Sequence, residues 1–179
     1  KIMQIRIEIG NKKHKKYASI IAKMIERAAQ KKGTILALRK PEFILEKIIQ
    51  GKSVIALDGE VVVGFCYFQN WENDAFIAHS GLIINENYLG RGLSKKIKKL
   101  IFDVSRQKFP KAKIFGLTTS PAVIKINHEL GYQSVTYNQL TNDEDFWKGC
   151  QTCSNYPKLL QAKRKKCKCT GMLMDPGKV

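Results

Sequence analysis

The chain has 179 residues, the length of one domain with room for a small appendage. Its hydrophobic content of 44% allows an ordinary core and excludes a disordered chain, and no apolar run approaches the roughly 20 residues of a membrane helix. With 32 Lys and Arg against 15 Asp and Glu, the net charge is +17. That excess favours a polyanionic partner (nucleic acid, an anionic membrane or a phosphate-rich cofactor), unless the lysines only cover solvated faces.

The first third of the chain is predicted to form one strand and two helices. Apolar and polar residues alternate over Lys1–Ile9, which indicates a strand. Apolar residues at helical spacing indicate an amphipathic helix over Lys15–Lys32, stopped at Gly33. A shorter helix is predicted to begin at Pro41 and to close at Gly51.

The next segment is predicted to be a β-hairpin followed by a third strand. Two β-rich runs, Ser53–Leu57 and Val61–Phe68, flank the dipeptide Asp58-Gly59, which supplies the positive φ of a tight turn. Ala75–Ile84 is another apolar run and is interpreted as a strand.

Two helices and two strands complete the periodic part of the chain. Leu93–Lys108 is predicted to be a long helix, because it carries an apolar stripe with lysines on its other faces. Ile114–Thr118 is predicted to be a buried strand, Pro121–Leu130 a helix ended by Gly131, and Gln133–Tyr137 the last strand. This order predicts the α/β (α+β) class, with a mixed, mostly antiparallel sheet flanked by helices.

The sharpest motif is a glycine-rich turn within Asn85–Ser94, between an apolar strand and the long helix. Gly90 and Gly92 allow close approach of a ligand to the backbone, and the free amides and the dipole of a helix start attract negative charge. Arg91 adds positive charge, so the loop predicts an anion site that suits a pyrophosphate. A Gly-x-Gly pattern alone is weak evidence, and the pattern is neither a Walker loop nor the dinucleotide fingerprint.

Three segments resemble the GNAT superfamily of N-acetyltransferases. Ile84–Ser94 is similar to the strand-to-helix acyl-CoA signature of that family. Ile114–Thr118 matches its next strand, and Pro121–Tyr132 matches its following helix with the ending Glu-Leu-Gly-Tyr. The resemblance extends over roughly residues 1–137 in the order and spacing of the elements. It implies the GNAT fold for a domain of residues 1–140, with residues 141–179 as an extension packed on it.

The resemblance also implies an enzyme that transfers an acetyl or other short acyl group from acyl-CoA to an amine. The pyrophosphate would lie on the amides of the glycine-rich loop, and amides of the preceding strand would bind the thioester carbonyl. The implied cofactor-binding residues are Leu82, Ile83, Ile84, Leu89, Gly90, Arg91, Gly92, Leu93, Ser94 and Asn127. Asn127 occupies the position where many members carry a Tyr that acts as general acid; an amide cannot take that role, but it can hydrogen-bond the cofactor.

Two residues are candidates for acid–base catalysis. His79 lies on the strand that leads to the signature, where family members often place a catalytic or water-bridging group. A hydrogen-bonded histidine on a sheet face is the equally weighted alternative. Glu72 lies on the loop before that strand, where it is either a base or a plain surface residue.

The C-terminal segment carries two close cysteine pairs, Cys150-x-x-Cys153 and Cys167-x-Cys169. Four thiolates suit a structural zinc ion, and the alternatives are reduced buried thiols or a redox pair. Phe146, Trp147 and Tyr156 are expected to dock this segment onto the body of the domain. The segment also resembles the tail of a bacterial GNAT group seen chiefly in Bacteroidetes.

The expected partners are acyl-CoA and a small primary amine, plausibly an amino acid such as glutamate. The rival hypothesis is a nucleic-acid-binding module that uses the basic tail, and a third is a GNAT homologue that binds CoA without catalysis. A homodimer is left open, and no membrane association is expected. Five cysteines, an odd number, and no visible signal segment favour the cytoplasm.

Overall fold

A computed structural model describes residues 4–31 and 34–178. Within these residues, seven strands form one sheet, and six helices accompany it. The strands are β1 (Arg6–Ile9), β2 (Ser53–Asp58), β3 (Val61–Trp71), β4 (Phe76–Ile84), β5 (Lys113–Thr118), β6 (Gln133–Val135) and β7 (Thr170–Met174). The helices are α1 (Ala18–Ala29), α2 (Pro41–Ile49), α3 (Leu93–Lys108), α4 (Pro121–Glu129), α5 (Glu144–Lys148) and α6 (Tyr156–Gln161).

The spatial order of the strands is β1-β2-β3-β4-β5-β7-β6. All neighbouring pairs are antiparallel except β4 and β5, which run parallel. This topology confirms the predicted mixed, mostly antiparallel sheet flanked by helices. Among the described helices, none has both the length and the apolar character needed to cross a membrane.

Side chains alternate between the two faces of the sheet along β3, and each face packs against different helices. Cys66 and Phe68 point into the core that α3 closes with Ile97 and Ile101. Phe65, with its side chain on the opposite face, packs in the core that α1 and α2 close. Because both faces are covered, the central part of β3 is apolar at every position and not only at alternate ones.

The N-terminal helix is shorter than its sequence pattern predicts. A 3-10 turn over Lys12–Tyr17 precedes α1. Asn11 starts that turn: its side chain accepts a hydrogen bond from the amide of Lys13, and its own amide donates to His14. This local capping favours the tighter turn at the point where the periodic pattern predicts regular helix. The predicted end at Lys32 and Gly33 lies outside the described residues, as do residues 1–3 of the first strand.

The predicted hairpin is confirmed, with its turn one residue later than expected. Asp58 pairs with Val61, so Gly59 and Glu60 form the two-residue turn. Gly59 has a φ of +59°, the conformation that the tight turn requires and that favours glycine.

The strand expected to be last, Gln133–Tyr137, is not the last one of the sheet. It is formed only over Gln133–Val135, and β7 from the C-terminal segment lies between it and β5. β7 hydrogen-bonds on both sides, and Met172 at its centre is fully buried. Residues 170–174 therefore belong to the sheet, whereas the division of the chain at residue 140 stays a prediction.

A third core fixes the C-terminal segment against β5. Phe146 packs edge-on against Phe115 of β5, with the ring centroids 4.9 Å apart. The indole N–H of Trp147 donates to the carbonyl of Thr141, and Tyr156 packs on the edge of the cluster. These contacts confirm that the three aromatic residues dock the segment.

Leu159 and Leu160 on α6 offer a matched test of this docking. Leu159 is 3% exposed and belongs to the third core, whereas Leu160 is 53% exposed. Leu159→Ala should lower the free energy of unfolding by about 2–5 kcal/mol, because it leaves a cavity in a packed core. Leu160→Ala should change it by less than about 0.5 kcal/mol. Urea denaturation measures both, and equal effects would contradict the docked arrangement.

Candidate active site

The sheet opens between β4 and β5. The two strands pair only from Phe76 to Ala78 on β4, and the pairing ends where Ala78 lies opposite Phe115. Beyond that point β4 continues to Ile84 with β3 as its strand partner on one side. The main-chain groups of β4 that face β5 are therefore available to a ligand in the gap.

A β-bulge lies on β4 beside this gap. Ser80 pairs with Tyr67 and Ile83 pairs with Phe65, so β4 has one residue more than β3 between these pairs. Gly81 in the bulge has a φ of +66°, and a Cβ there would lie 2.6 Å from the ring of Tyr67. Glycine is thus required for both conformation and space. The bulge leaves backbone groups unpaired where the gap begins.

The glycine-rich loop forms an open cradle at the start of α3. Gly90 and Gly92 have φ values of +76° and +73°, and a Cβ on either would meet nothing within 4 Å. No side chain caps the helix start, and its first turn contains no acidic residue. The guanidinium of Arg91 is folded back over the ring of Tyr88, 4.7 Å from its centroid. The predicted anion site therefore consists of open backbone amides with a cation at its edge.

His79 sits in a buried hydrogen-bond network on the α3 side of the sheet. Its Nε2 lies 2.8 Å from the hydroxyl of Ser105, which in turn donates to the carbonyl of Ile101. Nε2 must therefore carry the ring proton. Nδ1 accepts, with Tyr132 OH at 3.1 Å and the ammonium of Lys98 at 3.4 Å.

This environment keeps His79 neutral. Burial lowers the pKa of its imidazole well below the ordinary value, and the positive charges of Lys98 and Arg106 lower it further. Both ring nitrogens are engaged on the α3 face, and His79 also borders the cavity described below, which opens on the other face. The ring contacts are those of the alternative, a hydrogen-bonded histidine on a sheet face, and the catalytic role of His79 stays a prediction.

Glu72 does not line that cavity. Its carboxylate accepts a hydrogen bond of 2.6 Å from the hydroxyl of Thr141, a buried residue of the C-terminal segment. Glu72 thus links the β3–β4 loop to that segment. The structure does not bring Glu72 together with His79.

Asn127 on α4 is buried with one polar atom unsatisfied. Its Nδ2 lies 3.5 Å from the sulfur of Met172, and its Oδ1 has no hydrogen-bond partner among the described residues. A buried amide oxygen without a partner is costly, so this atom is ready to accept a bond from a ligand.

A cavity of about 430 Å³ lies on the α1 and α2 side of the gap. β4 and β5 contribute Ser80, Gly81 and Gly116, all beyond the last β4–β5 pair. The loop before α2 contributes Arg39, which periodicity does not mark as functional because it lies outside any regular element. Sequence reasoning missed this cavity and this residue.

The four C-terminal cysteines meet around one small apolar cavity of about 30 Å³. Burial, with the neighbouring thiols, raises the pKa of Cys150 to about 11 and of Cys169 to about 12. Nevertheless, among the described residues no three or more His, Cys, Asp or Glu side chains are arranged to hold a metal ion. The predicted zinc site at Cys150, Cys153, Cys167 and Cys169 stays a prediction, and the four residues are free, half-buried thiols.

No protein-family model matches this sequence, and a comparison with curated proteins finds no relative. Solved structures do match. The N-acetylglutamate synthase of Neisseria gonorrhoeae, solved with coenzyme A and N-acetyl-glutamate, has a TM-score of 0.68 at 15% identity. The match covers 98% of this chain and 36% of that one, so this chain spans about a third of the synthase.

Two further structures match over nearly their whole length. A GNAT-family acetyltransferase from Staphylococcus aureus has a TM-score of 0.62 at 12% identity, covering 97% of this chain and 99% of its own. Diaminobutyrate acetyltransferase from Paenibacillus lautus, solved with its substrate and coenzyme A, has a TM-score of 0.64 at 10% identity, covering 97% and 96%. This chain has the GNAT fold, as the sequence motifs predict.

The neutral state of His79 gives a testable pH dependence. Below about pH 6.5 the unfolded chain protonates this histidine, whereas the folded protein does so only at a much lower pH. Stability should therefore fall as the pH is lowered from 7 toward 5, and His79→Gln should reduce that slope. In NMR spectra, the ring signals of His79 should not shift between pH 8 and 6. A titration midpoint near the ordinary value would contradict the network described.

Proposed function

We propose that this protein is an acyl-CoA-dependent N-acyltransferase, which transfers an acetyl or other short acyl group to a primary amine of a small molecule. The observation that carries the proposal is the opening between β4 and β5, with the bulge at Gly81 beside it. An open, uncapped helix start lies at the end of β4, and a cavity lies on the other side of the gap. The shared fold with CoA-bound acetyltransferases supports the same reading.

The residues present fit acyl-CoA. The cradle of residues 89–94 has room for a pyrophosphate, since a Cβ at Gly90 or Gly92 would meet no atom. The amide of Leu89 donates to the carbonyl of Glu86, so the amides of residues 90–94, with Arg91, would supply the donors and the positive charge that a pyrophosphate needs. The unpartnered Oδ1 of Asn127 offers an acceptor for an amide N–H of the pantetheine arm.

Acyl-CoA supplies the acyl group as an activated thioester. Backbone amides within residues 82–84 that point away from β3 would donate to the thioester carbonyl and stabilise the negative charge that develops on its oxygen. The cavity would hold the amine at the gap, so that its nitrogen attacks from the α1 and α2 side. Asp145, exposed at the cavity rim, is the one carboxylate among the described lining residues and would receive the proton that the amine releases.

An amino acid is the acceptor class that we propose. Two of the matching enzymes, the N-acetylglutamate synthase and the diaminobutyrate acetyltransferase, are named for amino-acid substrates or products. Glutamate, which the resemblance of the C-terminal segment suggests, is one acceptor to test against others.

The cofactor site can be tested with a matched pair of glycine variants. Gly92 and Gly59 both have positive φ and open space around a Cβ, but only Gly92 lies in the cradle. Gly92→Trp should abolish acetyl-CoA binding in calorimetry, because the indole fills the pyrophosphate position. Gly59→Trp carries the same backbone strain in the β2–β3 turn and should bind as the wild type does.

The calorimetry distinguishes a wrong function from a wrong binding site. If wild-type protein binds neither acetyl-CoA nor succinyl-CoA at moderate salt, the proposed function is wrong. If both variants keep wild-type binding, acyl-CoA binds elsewhere and the glycine-rich loop is a structural turn only.

A further inference from the structure

Arg39 is held in a fixed position by main-chain and side-chain acceptors. Its Nε donates to the hydroxyl of Tyr67 at 2.9 Å, and its Nη1 donates to the carbonyls of Leu38 and Gly149 at 2.9 and 3.2 Å. The guanidinium also lies 5.3 Å from the ring centroid of Phe43. These contacts immobilise one end of the guanidinium before any ligand arrives.

The other end of this guanidinium has no partner. Nη2 makes no hydrogen bond to a described residue, and Arg39 forms no ion pair with any described carboxylate. Arg39 is half-buried and lines the cavity of about 430 Å³. A half-buried cation with free donors and no counter-charge is a site for an anionic group of a ligand.

We propose that Arg39 binds the carboxylate of the acyl acceptor, so that the acceptor is an amino acid with one carboxylate and an apolar side chain. The inference rests on the proposed function, because it assumes that the cavity holds the acceptor. The same cavity reaches the gap through Ser80, Gly81 and Gly116. An amino acid bound by its carboxylate to Arg39 therefore has its amino group directed along the cavity toward the gap.

The cavity wall explains the preference for a single charge. Its large apolar residues are Leu36, Phe43, Trp71, Leu117 and Phe146. Arg39 is the only lysine or arginine among the described lining residues. A second carboxylate, as in glutamate, would lie against apolar side chains without a cation, and burying it unpaired is costly. A cavity of this size falls in the range that holds small ligands.

Tyr67 positions Arg39 and does not itself recognise the acceptor. Its hydroxyl accepts from Nε of Arg39, and its ring is buried on β3 next to the bulge glycine. Tyr67→Phe should remove that hydrogen bond and weaken carboxylate binding by less than the loss of Arg39 itself. The Michaelis constant for the amino acid should rise while kcat stays nearly constant, because only the binding group is displaced.

The experiment compares amino acids with the amines that lack their carboxylate. Phenylalanine is paired with phenethylamine and leucine with isoamylamine, with glutamate as the doubly charged case. Calorimetry measures acceptor binding with and without CoA, and thiol release from acetyl-CoA measures transfer. The wild type should prefer each amino acid over its amine by about 10- to 100-fold in kcat/KM, the range expected for a charge-assisted bond. It should also prefer phenylalanine or leucine over glutamate.

Arg39→Met should remove this preference, lowering kcat/KM for the amino acid about 10- to 100-fold and leaving the amine unchanged. Arg39→Lys keeps the charge without the planar fork and should retain part of the preference, so a folding defect in the Met variant does not leave the proposal untested. Arg6→Met is the matched control, because Arg6 is an exposed arginine on β1, which β2 and β3 separate from β4. It should behave as the wild type.

Three results would overturn the inference. They are an equal preference of the wild type for amino acid and amine, a preference that survives in both Arg39 variants, and a preference lost in Arg6→Met instead. A failure of acetyl-CoA to bind would reject the proposed function and not this site, because amino-acid binding to Arg39 is measured without CoA.

Discussion

The architecture of this molecule depends on the short hydrogen-bonded contact between β4 and β5. The two strands pair over only three residues and then separate. Pairing from Phe76 to Ala78 keeps the two strands in one sheet. The bulge at Gly81 lies beyond that pairing, and Tyr67 packs in the space that a side chain at Gly81 would need. The gap opens on the cavity at Ser80, Gly81 and Gly116, and the cradle at the start of α3 follows the end of β4.

The C-terminal segment takes part in both the sheet and the cavity. β7 fills the space between β5 and β6, and Phe146 and Cys150 line the cavity on the other side of the gap. The carbonyl of Gly149 in this segment accepts a hydrogen bond from Arg39, 110 residues earlier in the chain. The cavity therefore combines residues from both sides of position 140, and the segment supplies one of the acceptors that hold Arg39.

Sequence patterns predicted the parts of the molecule that are encoded locally. The hairpin around Gly59, the stripe of α3 and the cradle at Gly90 and Gly92 each depend on a few neighbouring residues. Arg39 was not predicted as a site residue, because its position depends on distant hydrogen-bond partners in β3 and in the C-terminal segment. His79 was placed on the right strand, where its ring forms a buried hydrogen-bond network on the α3 face, and its catalytic role stays a prediction. β7 was missed because its five residues follow a basic, cysteine-rich stretch without periodicity.

The most direct test of the central claim is amide mapping by NMR during titration with CoA and then with phenylalanine. CoA should shift the amides of residues 89–94 and 81–84, which lie 5 to 13 positions apart in sequence. Phenylalanine should then shift the amides around Arg39, Ser80 and Phe146, on the opposite face of the sheet. Shifts confined to the basic stretch of residues 163–168 would contradict the claim, and would indicate instead that polyanions bind the C-terminal segment.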